Sequence, residues 1–237
     1  MSFLKKLKRF FSGGIQLAPD YQTRLKTWHQ LSKANLSQHP SAQRWVVIDV
    51  ETSGLNLNRD RLISIGAIAV NNGMIDLNDT FEVVLKQEIV SNRENILIHG
   101  IGTTAQAEGV EPQLALIQFL EYLNNAPLVA FHAFFDRTMI NRAIDEYLDF
   151  TFLPTWLDLA HLAPALYPEL GRRFHGLDDW LTEFKIEDYA RHNALSDAFS
   201  TAKLFLILLD QSHAANYDTC ESILKIEQLQ RWLTQKH

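Results

Sequence analysis

Two acids stand where a buried strand should carry none. The run Val46-Val47-Ile48-Asp49-Val50-Glu51 is otherwise β-branched and apolar. Side chains alternate along a strand, so Val47, Asp49 and Glu51 face one way. Two ionised carboxylates on one face repel, and each loses hydration when buried. A divalent cation removes both costs, and hard oxygen ligands at this spacing suit Mg²⁺ or Mn²⁺. The plainer alternative is a strand end that reaches solvent. Asp136 closes the run Leu128-Val129-Ala130-Phe131-His132-Ala133-Phe134-Phe135-Asp136, at a strand-to-helix junction. Asp197 lies near the start of the apolar run 194–209. Alone, each of these two reads as an acid in a helix's first turn. His192 precedes Asp197 by five residues, about 140° apart if both were helical. For both to serve one site, His192 must sit on the loop before the helix, with Asn193 as its cap.

The elements that must position these groups follow from pattern. Val46 to Val50 reads as a buried strand, Leu62 to Val70 as a second, and Thr80 to Lys86 as a third. Asn71-Asn72-Gly73 between the last two is a turn signal. Pro112 to Leu123 reads as a helix with proline in its first turn. A short strand at Leu128 to Phe131, a helix over 135–148 and a fifth strand at Thr155 to Leu159 come next. No glycine or proline follows Gly176, so the last quarter is predicted helical. This order gives an α/β domain: a mixed five-stranded sheet, antiparallel meander first and parallel strands after, flanked by helices. Three segments are expected: a basic N-terminal helical extension over 1–43 with a helix near 19–35, the main domain over 44–211, and a C-terminal helical segment over 212–237.

The charge is unevenly spread. The 237 residues carry a net −6, which alone disfavours a nucleic-acid partner. Residues 1–43, however, hold seven Lys/Arg against one acid, Asp20, and an acidic body follows. Residues 3–11, F-L-K-K-L-K-R-F-F, place apolar groups at helical spacing among cations. Packing on its own domain, a membrane-surface anchor and a nucleic-acid contact all suit such a segment. No apolar run reaches the length of a membrane span. The single cysteine, Cys220, excludes an intramolecular disulfide framework and points to a reducing compartment. The N-terminus lacks the apolar stretch of a secretory signal, so a cytoplasmic location is expected.

Taken in order, D-x-E-T-S-G-L (Asp49 to Leu55), F-H-A-F-F-D ending at Asp136, and H-x₄-D (His192, Asp197) resemble the DEDDh branch of the DnaQ-like 3′→5′ exonucleases. R-L-I-S-I-G-A-I-A-V (61–70), Ile98-His99-Gly100-Ile101 and Trp156 to Ala160 also fit that family, and the resemblance spans about 44–211. Two departures stand out. Ala133 follows His132 where the family often has Asn, and Ser53 replaces its second Thr. Neither removes an acid.

The resemblance implies an RNase H-like fold and phosphodiester hydrolysis assisted by two divalent cations, Mg²⁺ or Mn²⁺. Asp49, Glu51, Asp136 and Asp197 are then the metal ligands, and His192 the general base, a role its ordinary pKa of about 6.5 suits. The loop Thr52-Ser53-Gly54-Leu55, with His99 and Phe135, is expected to meet the terminal nucleotide. The implied partner is a nucleic-acid 3′ end, single-stranded DNA before RNA, with nucleoside 5′-monophosphates as products. The family includes proofreading subunits of bacterial DNA polymerase III and freestanding repair enzymes. Gln228 to Leu233 is similar to clamp-binding peptides, although helix-face packing explains it equally. RNA ends as substrate, and a non-catalytic docking module, are the competing expectations.

Overall fold

The computed structural model describes residues 15–91, 93–187 and 193–235. Residues 3–11 and His192 lie outside the described residues, so the expectations placed on them are not addressed by it. Five strands form one sheet in the order β3-β2-β1-β4-β5. They are β1 (Trp45–Thr52), β2 (Leu62–Asn71), β3 (Met74–Val84), β4 (Leu128–Ala130) and β5 (Trp156–Asp158). β1, β2 and β3 pair antiparallel, while β4 and β5 join parallel to β1. This is the mixed sheet that the sequence pattern predicts.

The β2–β3 hairpin shows how local chemistry sets register. Asn71 pairs with Met74, leaving Asn72 and Gly73 as a two-residue turn with φ of 52° and 68°. Both central residues in the left-handed region is the signature of a type I′ turn, whose twist matches the strands. β3 therefore starts six residues earlier than its apolar run suggests. Its first half is an exposed edge with a register irregularity opposite Ile68/Ala69, where Met74 and Leu77 stay exposed beside Asp76 and Asn78, so no buried apolar run marks the strand.

Helices cover both faces. On one, α1 (Pro19–His29), α4 (Pro112–Leu123) and α5 (Phe134–Leu148) pack against Val46, Ile48 and Val50. Two short helices, α2 (Arg93–His99) and α3 (Thr103–Ala107), precede α4. α1 ends at His29, short of the expected 35. On the other face, α6 (Leu159–Leu166), α8 (Leu177–Glu183), α9 (Ala194–Ala214) and α10 (Cys220–Thr234) pack on Trp45, Val47 and Val129. A single turn, α7 (Pro168–Gly171), links α6 to α8. The alternation expected of the first strand is thus realised: its even residues face one core and its odd residues the other. α9 runs three residues past position 211, and Cys220, Ile223 and Leu224 of α10 enter the same core. Leu229, Trp232 and Leu233 of α10 are instead among the exposed large apolar side chains of the described residues.

Candidate active site

The odd face of β1 carries Asp49 and Glu51 under the first turn of α9. Asn193 caps that helix, its side chain accepting from Ser196 N–H at 3.0 Å. Asp197 follows in the same turn and is only 8% exposed. One carboxylate oxygen each from Asp49, Glu51 and Asp197 lies within 4.8 Å of the others. What lets the helix approach so closely is Gly66. It pairs with Asp49 across the β1–β2 ladder, and a Cβ there would meet Leu195 N at 2.1 Å and Ala194 C at 2.2 Å. The start of α9 thus rests on bare β2 backbone. Nothing in the sequence pattern marks Gly66 for this role, because the requirement comes from a helix 128 residues away.

Electrostatics at this point favour a cation. Burial, with the Asp197 carboxylate beside it, pushes Glu51 up to about 7. An acid held half-protonated near neutrality by desolvation and a like charge is a ligand poised for a counter-ion. Three oxygen donors and no nitrogen or sulfur suit a hard divalent ion. The residues present therefore fit the metal that the sequence implies.

Asp136 is next to this group without being in it. It is 4% exposed, in the first turn of α5. Burial, then the nearby Asp158 and Glu51, raise its carboxyl well above the ordinary range, while the backbone N–H groups of Asp136 and Val50 pull it back. β4 pairs with β1 only as far as Val47, so the Asp136 carboxylate takes over one β1 N–H beyond the ladder. The turn that delivers it is strained. His132 adopts φ 60°, and its N–H donates to Asp158 Oδ1 at 3.0 Å. The same oxygen caps α6 through Ala160 N–H. Asp158 is thus a residue that pattern alone does not single out: it holds the turn that presents Asp136.

The loop after the two strand acids is held from below. A register irregularity separates Glu51 from Thr52. Thr52 Oγ1 donates to Gly54 O at 2.8 Å, and Ser53 Oγ donates to Asp60 Oδ1 at 3.0 Å. Asn56 N–H donates to Asp60 Oδ2 at 2.7 Å. A Cβ on Gly54 would fall 2.6 Å from that same carboxylate, so the loop closes only with glycine there. Arg142 of α5 donates to the carbonyls of Asp60 and Leu57 beneath. Leu55 at the tip is 85% exposed. His99 is 4% exposed, and its Nδ1 accepts from Ile101 N–H at 3.0 Å. Burial lowers its pKa, which keeps the ring neutral. Phe135 packs on the core, while its neighbour Phe134 is exposed. His192, one residue before the cap Asn193, is outside the described residues.

An acid cluster at the end of a central strand, in a sheet of this order, defines a nuclease of RNase H-like fold, and the sequence comparison agrees. The model of the Exonuclease (RNase_T) family matches residues 46–205, and the chain belongs to that family. It is 32% identical over 167 residues to DNA polymerase III PolC-type of Caldanaerobacter subterraneus subsp. tengcongensis, and 30% over 174 residues to the PolC-type polymerase of Thermotoga petrophila. These alignments cover 70% and 73% of this chain but 12% of each relative. Among solved structures, E. coli Exonuclease I with a dT13 oligonucleotide superposes with TM-score 0.62 at 15% identity, over 74% of this chain and 43% of that one. Exonuclease X with 5′ overhanging duplex DNA gives 0.60 at 20%, over 77% and 99%. The DnaQ-like reading of the motifs therefore holds, and a non-catalytic docking module is set aside. No helix among the described residues is long and apolar enough to cross a membrane.

Proposed function

We propose that this chain is a 3′→5′ exonuclease acting on DNA, single strands preferred, and releasing nucleoside 5′-monophosphates. The observation that carries the reading is the three-carboxylate group of Asp49, Glu51 and Asp197 at the end of β1. When bound, two divalent cations, Mg²⁺ or Mn²⁺, supply a polarised scissile phosphate and an acidified water. Asp49, Glu51 and Asp197 hold the ions, and Asp136 completes the ligand set from α5. His192 takes the proton of the attacking water on a ring nitrogen. The Thr52–Leu55 loop, braced by Asp60, receives the terminal nucleotide, with Leu55 against its base. His99 and Phe135 are the further residues proposed to meet that nucleotide.

The test is product analysis on matched DNA and RNA oligomers labelled at either end, with Mn²⁺, beside Asp49→Ala. A 3′ label should appear at once as mononucleotide, while a 5′ label shortens stepwise, DNA faster than RNA, and Asp49→Ala does neither. Faster loss from RNA would move the substrate to RNA ends.

A further inference from the structure

A second group of metal-ligating side chains lies far from the acid cluster. His39, His213 and Asp218 each offer one ligand atom, all within 4.8 Å of one another. They come from three places: the cap of the 3₁₀ turn Pro40–Ala42, the last turn of α9, and the link between α9 and α10. Sixteen residues of helix separate His213 from Asp197, about 24 Å. The backbone holds the parts together before any ion arrives. Cys220 N–H donates to Gln38 O at 3.1 Å and Glu221 N–H to Leu36 O at 2.9 Å, pinning the segment before His39 onto the start of α10. The His39 and His213 rings meet edge-on, centroids 5.6 Å apart. His39 Nδ1 lies 2.7 Å from Ser41 Oγ. His39 Nδ1 also accepts from Ser41 N–H at 3.2 Å, so a cation on Nε2 takes the ring in its other tautomer, with Nδ1 donating to the Ser41 hydroxyl and that long backbone bond given up. Asp218 Oδ1 is 2.7 Å from His213 Nδ1. The carbonyl end of α9 adds partial negative charge, and Asp210, one turn back, lines the same cleft.

We infer that His39, His213 and Asp218 form a second cation site that takes Zn²⁺ in preference to Mg²⁺ and clips the segment before β1 to the α9–α10 junction. Two imidazoles and a carboxylate suit a borderline ion, whereas the three carboxylates on β1 and α9 suit a hard one. The chain would thus sort two metals by donor type. Cys220 takes no part: it is buried, and burial pushes its thiol up to about 11.

Calorimetric titration of the full chain with ZnCl₂ under saturating MgCl₂ tests this, with thermal melts alongside. Wild type should bind one Zn²⁺ per chain and melt higher with it. Asp49→Asn should keep that zinc. His39→Ala and His213→Ala should bind it at least about tenfold more weakly and lose the zinc-dependent rise, with melts unchanged when zinc is absent. His39→Gln serves if either alanine variant fails to fold. Zinc binding that is equal in the histidine variants, absent in wild type, or lost in Asp49→Asn would overturn the assignment.

Discussion

Glu227 shows what a single buried acid does away from the proposed chemistry. It sits on α10, 1% exposed, with Arg231 at 3.4 Å. Burial, then Asp158 nearby, push it up to about 7 against the pull of Arg231. Its folded pKa exceeds the unfolded value of 4.5, so the native state holds the extra proton between those values. Stability is present below the lower value and is lost as pH rises through the upper one. Glu227→Gln removes that loss. Its stability relative to wild type should increase by about 1–3 kcal/mol between about pH 5 and pH 8, read from urea unfolding at each pH. His192 makes the contrasting prediction. His192→Ala should cut turnover by about 10²–10⁴-fold while Mn²⁺ binding, measured by calorimetry, persists. The acids were legible in the sequence because each violates the pattern around it: Asp49 and Glu51 interrupt a β-branched run. Asp158 was not, because an acid before a helix is an ordinary cap, and only the fold reveals that the same oxygen also holds His132 N–H.

At the scale of elements, the acid group is a consequence of α9 lying on β2. Gly66→Ala should lift the helix start, since the new methyl meets main chain that has no side-chain freedom to yield. The expected cost is about 1–3 kcal/mol in unfolding free energy, with Mn²⁺ affinity falling in step. Asp158→Ala should release the His132 turn and lower activity by about 10–100-fold, with little change in the overall circular dichroism. Elements with strong local signals were readable before the structure: the Asn72-Gly73 turn, the proline-led α4, and the cap at Asn193. Others were masked. β3 begins as an exposed edge that mixes Met74 and Leu77 with Asp76 and Asn78, so it shows no buried apolar run. α6 carries Pro164 inside it, which breaks the expected helical signature. α2 and α3 are too short to show a period.

For the whole molecule, the basic extension is the segment whose role most needs a test. Arg24 is already committed to its own protein, donating two hydrogen bonds at 2.7 and 2.6 Å to Glu121 of α4. Positions 5, 6, 8 and 9 carry four further cations, and the proposal is that these meet a polyanion. Deleting residues 1–14 should therefore weaken single-strand binding and flatten its salt dependence, read from affinity across a salt series. An unchanged slope would assign the segment to a protein or lipid partner. The acidic remainder of the chain fits a site that holds its substrate mainly at the terminal nucleotides, where cations offset the carboxylates. The central claim is that Asp49, Glu51 and Asp197 act as one cation-binding group for hydrolysis. The most direct measurement is the rate of mononucleotide release from a 3′-labelled single strand across a Mn²⁺ titration, in wild type and Asp197→Asn. Wild type should show saturable, Mn²⁺-dependent release, and Asp197→Asn should stay at background at every concentration. Equal rates in the two proteins, or release that persists in chelator, would contradict it.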